Sequence, residues 1–291
     1  MPGRPSIASL TEDPRAFFAG FDSVVLVANS RDAAGVLAAP DIGARPLFVF
    51  FNRVYRILDE PFGRDCILVS RSTPVGSALI YRKELDDVLS LLKGPNFHGI
   101  LNIRARDREV LSNPADFKGN PVGLLDLNDW ILPMYPTGQR WPSSGFALSM
   151  WLAYQRLPIP IYLSGFNGVR EAQWRVFDVH DWTWEQIVLN VMFKQDRLRR
   201  HSVGTYFDVW PVERLTAAFP EIGREELSTT AIEVLSHRLN GANRVIDHIY
   251  SSLKPQLAVR DFFRKLRPRS RKARTRDRLL TERDKAAGDQ A

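Results

Sequence analysis

Cysteine is almost absent: the 291 residues contain one, Cys66. That excludes a disulfide within the chain and a cysteine metal cluster. No stretch approaches the roughly 18 consecutive apolar residues that a membrane-spanning helix needs. There is no GxGxxG after the first apolar run and no P-loop, which leaves a nicotinamide enzyme or an NTPase with little support. HExxH, an Asp-x-Asp triplet after a strand and a His/Cys cluster are also missing. No internal repeat is visible. The first 20 residues carry acidic side chains and no apolar core segment, which argues against a secretory signal.

What remains is ordinary globular composition, 44% hydrophobic and 25% charged, so the chain is not wholly disordered, collagenous or a coiled coil. The net charge of +7 is unevenly placed. From Lys254 onward there are 13 Lys/Arg against 5 Asp/Glu, leaving 27 against 28 in residues 1–253. The body is neutral and the tail is basic, so the charge says little about what the body binds.

Short apolar runs alternate with polar connectors and helical spacing. Asp22–Ala28, Leu47–Phe51, Cys66–Ser70, Phe97–Ile103, Gly123–Leu127 and Ile159–Leu163 read as strands. The alanine-rich stretch after Asp32, Tyr81–Leu92, Phe146–Arg156 and Thr183 to about Arg200 read as helices. Such alternation predicts an α/β fold with a mainly parallel sheet flanked by helices. Residues 1–200 are expected to form that domain, 201–253 a helix-rich part packed on it, and 254–291 a flexible basic tail.

In open α/β sheets ligands bind at the carboxyl ends of strands. Asn29, Asn52 and the Ser164-Gly165 pair fall at such ends. Asn both donates and accepts hydrogen bonds, which suits a base, ribose or sugar; the plainer alternative is a turn or cap. Pro142-Ser143-Ser144-Gly145 opens a helix, where free N–H groups and the dipole favour an anion, although an ordinary N-cap fits equally. Among five histidines, His98 lies in a strand, His237 and His248 in helices, and His201 after a basic pair. His180 alone sits in a loop just downstream of the other candidates, as a general base would. Glu185 falls in the first turn of the next helix, where a carboxylate has a structural reason to stand.

Taken in order, these pieces resemble a family. VANSRD (27–32) is similar to the start of the large sialylmotif. PSSGFALSMWLAYQRLPIPIYLSGF (142–166) is similar to the small one, and HDWTWE (180–185) to its short His-x4-Glu motif. The match with sialyltransferases, bacterial ones included, spans about residues 20–190. That resemblance implies a Rossmann-like fold and a metal-independent, inverting displacement using a CMP-activated acidic sugar, sialic acid or a related ulosonic acid such as Kdo. It implies that Asn29 and Asn52 hold the cytidine monophosphate and that Ser144 and Gly145 contact the donor's phosphate or carboxylate region, with Ser30, Ser143, Ser164 and Gly165 also donor-binding. His180 would deprotonate the acceptor, with Glu185 in support. Bacterial relatives carry two tyrosines after the SG loop. Here Asn167–Phe177 has none, and Arg170 and Arg175 are expected to neutralise the leaving phosphate instead. No cofactor or metal is expected.

The family's eukaryotic cysteines and membrane anchor are missing, which points to a bacterial, cytoplasmic enzyme of surface polysaccharide or lipopolysaccharide synthesis. Its acceptor would be a glycan or lipid-linked glycan. The basic tail would draw it to the anionic inner membrane surface, and no nucleic-acid partner is expected. The alternatives are another nucleotide-sugar transferase, a methyltransferase-like enzyme on a similar sheet, or a non-catalytic nucleotide or nucleic-acid binder. The missing glycine-rich first loop counts against the methyltransferase. The neutral body, without a basic stripe interleaved with aromatics, counts against the nucleic-acid binder.

Overall fold

A computed structural model of the chain describes residues 7–38, 42–135, 140–166, 180–201, 216, 218–230, 232 and 233. They fall in two compact units, one holding those up to 201 and the other those from 216. In the second unit residues 224–230 are helical.

The first unit is built on an eight-stranded sheet. Its strands are β1 (Ser23–Val27), β2 (Pro46–Phe51), β3 (Cys66–Thr73), β4 (Gly76–Ser77), β5 (Phe97–Arg104), β6 (Val122–Asp126), β7 (Ile161–Ser164) and β8 (Arg199–His201). The helices are α1 (Pro14–Phe18), α2 (Ala78–Tyr81), α3 (Leu85–Ser90), α4 (Asn128–Ile131), α5 (Ser144–Gln155) and α6 (Trp182–Lys194). The strand order is β6-β5-β3-β2-β1-β7-β8, all parallel, while β4 pairs antiparallel with β3.

β1 and β2 are buried at every position because both sheet faces are covered, which is why they read as unbroken apolar runs. Side chains alternate between faces. Val24, Leu26, Leu47, Val49, Ile67 and Leu101 join a core with Phe17 of α1 and with Phe146 and Met150 of α5. Val25, Val27, Phe48, Phe50, Leu68 and Ile100 join a second core with Val36, Leu79 of α2 and Val88 of α3. The fold is therefore α/β, a Rossmann-like, mainly parallel sheet with helices on both faces.

Some elements differ from expectation. Of the helix predicted over 81–92 only Leu85–Ser90 forms α3; Tyr81 instead ends α2, and the left-handed Lys83 (φ 57) stands between the two. The segment Arg31–Ala38 is a 3-10 helix. β7 starts at Ile161, since Pro160 stands just before it and lends its carbonyl to the Val24 N–H at 3.0 Å. The helix expected to reach Arg200 stops at Lys194. Asp196 is left-handed (φ 51), and Arg199–His201 then pairs with β7.

Candidate functional site

From β1 the chain steps outward through β2, β3, β5 and β6 on one side, and through β7 and β8 on the other. The order reverses between β1 and β7, and in open α/β sheets ligands bind outside the carboxyl ends of strands at such a reversal. Asn29 and Ser30 follow β1, and Ser164 ends β7. The Ser30 hydroxyl donates to the Gly165 carbonyl at 3.2 Å. Gly165 is left-handed (φ +77), and a Cβ there would meet the Ser30 hydroxyl and, at 2.8 Å, the Ala33 Cβ. The two loops thus touch through a position only glycine fits.

Asn29 donates through Nδ2 to the Phe51 carbonyl at 2.8 Å, tying the ends of β1 and β2. Its buried Oδ1 has no partner among the described residues, and neither has the Ser164 hydroxyl, on a residue 1% exposed. Buried polar atoms are nearly always paired, so two orphans beside the reversal of strand order are notable. Asn52 is left-handed (φ 45), and its Oδ1 accepts the Arg71 N–H at 3.0 Å. Its Oδ1 thus ties the end of β2 to β3.

α5 begins where the small residues predicted. Ser143 is its N-cap, with Oγ accepting from the Phe146 N–H at 3.2 Å. Ser143 in turn donates its N–H and hydroxyl to Glu185, at 2.7 and 2.6 Å. Tyr135 adds its hydroxyl to the same carboxylate at 3.2 Å while accepting the Asp181 N–H at 2.7 Å. Glu185 is 2% exposed, so both carboxylate oxygens are spent on holding α5 to α6. Burial pushes its carboxyl up to about 7, against the pull of the Ser143 donors. Tyr135 is also shifted up, by burial and then by the nearby Glu185 charge. Ser144 and Gly145 come next along the helix, in the first turn where N–H groups lack an intrahelical partner. Gly145 has a packing reason as well: a Cβ there would lie 2.5 Å from the Phe166 ring.

His180 stands just ahead of Asp181, which caps α6 by accepting the Trp184 N–H at 3.0 Å. The imidazole Nδ1 lies 2.7 Å from the Trp141 carbonyl. A carbonyl only accepts, so Nδ1 carries the proton and Nε2 keeps the lone pair. Burial holds the ring below its ordinary value, and the Arg71 charge pushes the same way against the Trp141 carbonyl. A neutral imidazole with one nitrogen anchored is equipped to take a proton through the other.

Sequence reasoning missed three residues here: Arg71, Tyr135 and Trp141. Arg71 sits near the end of β3, bonded to Glu109 at 2.7 Å and reaching the Pro142 carbonyl at 3.4 Å. It follows an apolar run just as Asn29 and Asn52 do, so the same rule could have found it. Trp141 is covered by the Arg106 guanidinium, 3.8 Å from its ring centroid, which braces the loop holding His180. Nothing in the sequence marks Tyr135. His98 is structural: its Nε2 meets Asp65 at 2.7 Å near the amino end of β5. Burial raises the Asp65 carboxyl, but His98 and Arg45 outweigh it and hold the group low. Arg170 and Arg175 lie outside the described residues. Among the described residues no group of three or more His, Cys, Asp or Glu is placed to hold a metal ion.

Comparison of the chain with protein-family models, curated proteins and solved structures finds no match.

Proposed function

We propose that the chain is a metal-independent inverting glycosyltransferase that moves an acidic sugar, sialic acid or a related ulosonic acid, from a CMP donor to a glycan acceptor. The observation that carries this reading is the convergence of its motifs. The end of β1 touches the end of β7 through Ser30 and Gly165. Phe166 of that loop packs on Gly145, and Ser143 is held by Glu185 beside the anchored His180. The three stretches of the resemblance, 27–32, 142–166 and 180–185, are thus joined by direct contacts.

Each residue then has a role. Asn29, Ser30, Ser164 and Gly165 receive the nucleotide, whose hydroxyl and amino groups supply partners for the orphaned Oδ1 and Oγ atoms. The Ser144 and Gly145 N–H groups face the donor's anionic part at a helix N-terminus. His180 Nε2 takes the proton from the acceptor hydroxyl as that oxygen attacks the anomeric carbon. The bond to the phosphate breaks on the opposite side, CMP leaves as the anion, and the proton passes on to solvent. Glu185 and Asn52 position the rest. Arg170 and Arg175 remain the candidates for the leaving phosphate. An acceptor in bacterial surface glycan synthesis and work at the inner membrane face belong to the same proposal. Among the described residues no helix is long and apolar enough to cross a membrane.

The test is thermal shift against CMP, UDP, GDP, S-adenosylmethionine and short DNA, since a ligand that binds the native state raises its melting temperature. CMP is expected to give the largest shift. A response to another of these and none to CMP would overturn the proposal.

A further inference from the structure

At the other end of β7 from Ser164, a cavity of about 510 Å³ opens between the last turn of α5 and the segment leading into β8. Its wall from Leu157 to Ile161 is apolar, and its charged groups are Arg156, Arg197 and Arg199 against Asp196 alone. Helix capping explains part of this arginine cluster. Arg197 Nη1 donates to the Ala153 carbonyl at 3.3 Å, and Arg15 Nη2 to the Gln155 carbonyl at 3.5 Å. Arg199 pairs with Asp196 through two nitrogens at 3.2 and 3.4 Å and also bonds Tyr162, but the Arg199 and Asp196 side chains are exposed and such a pair is readily broken. Arg156 has no acidic partner among the described residues, and it stands left-handed (φ 50), where glycine ends a helix with less strain. The Arg156 side chain is thus left without an acidic partner among the described residues, and the lining carries three guanidiniums against one carboxylate.

We propose that this cavity binds a phosphate-type anion carried next to an apolar group, held by Arg156, Arg197 and Arg199. Guanidinium forks match phosphate oxygens two at a time, and the Leu157–Ile161 wall receives the apolar part. The same chemistry is offered by a soluble phosphorylated compound and by an anionic lipid headgroup. Nothing in it depends on the donor site or on the reaction proposed there.

The test uses the full chain and two probes. Inorganic pyrophosphate is titrated calorimetrically, and phosphatidylcholine vesicles with a minor share of phosphatidylglycerol are used for flotation. The parent is compared with Arg156→Gly, with the Arg156→Gln/Arg199→Gln pair, and with His180→Ala as a control. Pyrophosphate affinity is expected to fall about tenfold or more in the arginine variants, the loss of one or two charge-assisted contacts, and to hold in His180→Ala. Arg156→Gly relieves a left-handed residue and is expected to melt no lower than the parent, which separates lost binding from lost fold. If vesicle binding falls in step, the ligand is a lipid headgroup; if it does not, the ligand is soluble. No pyrophosphate binding by the parent, or binding unchanged in the double variant, would overturn the site.

Discussion

A histidine serves as a base at neutral pH only if one nitrogen keeps its lone pair and the ring stays uncharged. At His180 the Trp141 carbonyl secures the first condition, and burial with Arg71 nearby secures the second. His180→Ala is expected to lower the transfer rate by roughly 10²–10⁴-fold while leaving CMP affinity near the parent's. A near-parental rate in that variant would make the ring structural. Because the ring's value is depressed, the acidic limb of the rate profile should lie below about pH 6.5, histidine's ordinary range. Glu185 has the opposite shift. Its carboxyl is raised to about 7 in the folded chain from an ordinary 4.5. The folded state then holds a proton that the unfolded state has released. The stability it adds is complete below pH 4.5 and is lost as pH rises through 7. Roughly 3 kcal/mol is at stake. Thermal melts from acid to mildly basic pH should fall more steeply for the parent than for Glu185→Gln, and parallel curves would show an ordinary carboxylate. Turnover in Glu185→Gln should drop much less than in His180→Ala, since the side chain acts through Ser143 and Tyr135.

Helix α5 shows how an element was legible by its ends. Pro, Ser and Gly before an apolar stretch marked its start, and the cap is where they placed it. Ser143→Ala removes the cap and also strips Glu185 of the hydroxyl donor while leaving the backbone N–H, so a loss of about 1 kcal/mol from the cap alone is a lower bound on the destabilisation. Gly145→Ala drives a methyl into the Phe166 ring and should cost about 1–3 kcal/mol by overpacking. Chemical denaturation of the two variants reads both effects, and a parental midpoint for Gly145→Ala would show that Phe166 yields freely. The strands were legible for the same kind of reason, because full burial on two faces leaves unbroken apolar runs such as VVLV and LFVFF. Helix interiors were less so. Leu85, Val88, Leu89 and Leu92 share helical spacing, yet a left-handed Lys83 splits the segment ahead of them, and no residue type announces that turn. The short β8 is charged, Arg199–His201, and pairs through its backbone with β7, so no apolar pattern betrays it.

On the scale of the whole molecule, strand order is what the sequence could not state. Local patterns foretold a mainly parallel sheet, but only the placement of β7 beside β1 brings Ser164 near Asn29 at the reversal of strand order. Two of the missed residues share this cause: Tyr135 and Trp141 matter through partners distant in the chain, Glu185 and His180, whereas Arg71 stood at a strand end that the sequence did mark. The expectations for the basic tail, and for Arg170 and Arg175, fall on residues outside those described. The central claim is a reaction, and the most direct measurement is release of CMP from CMP-sialic acid and CMP-Kdo, side by side, with EDTA present. The account predicts that the parent releases CMP from one of the two donors, faster when a glycan acceptor is added, and that His180→Ala releases little. No release from either donor, or release that stops in EDTA and returns with magnesium or manganese, would contradict it.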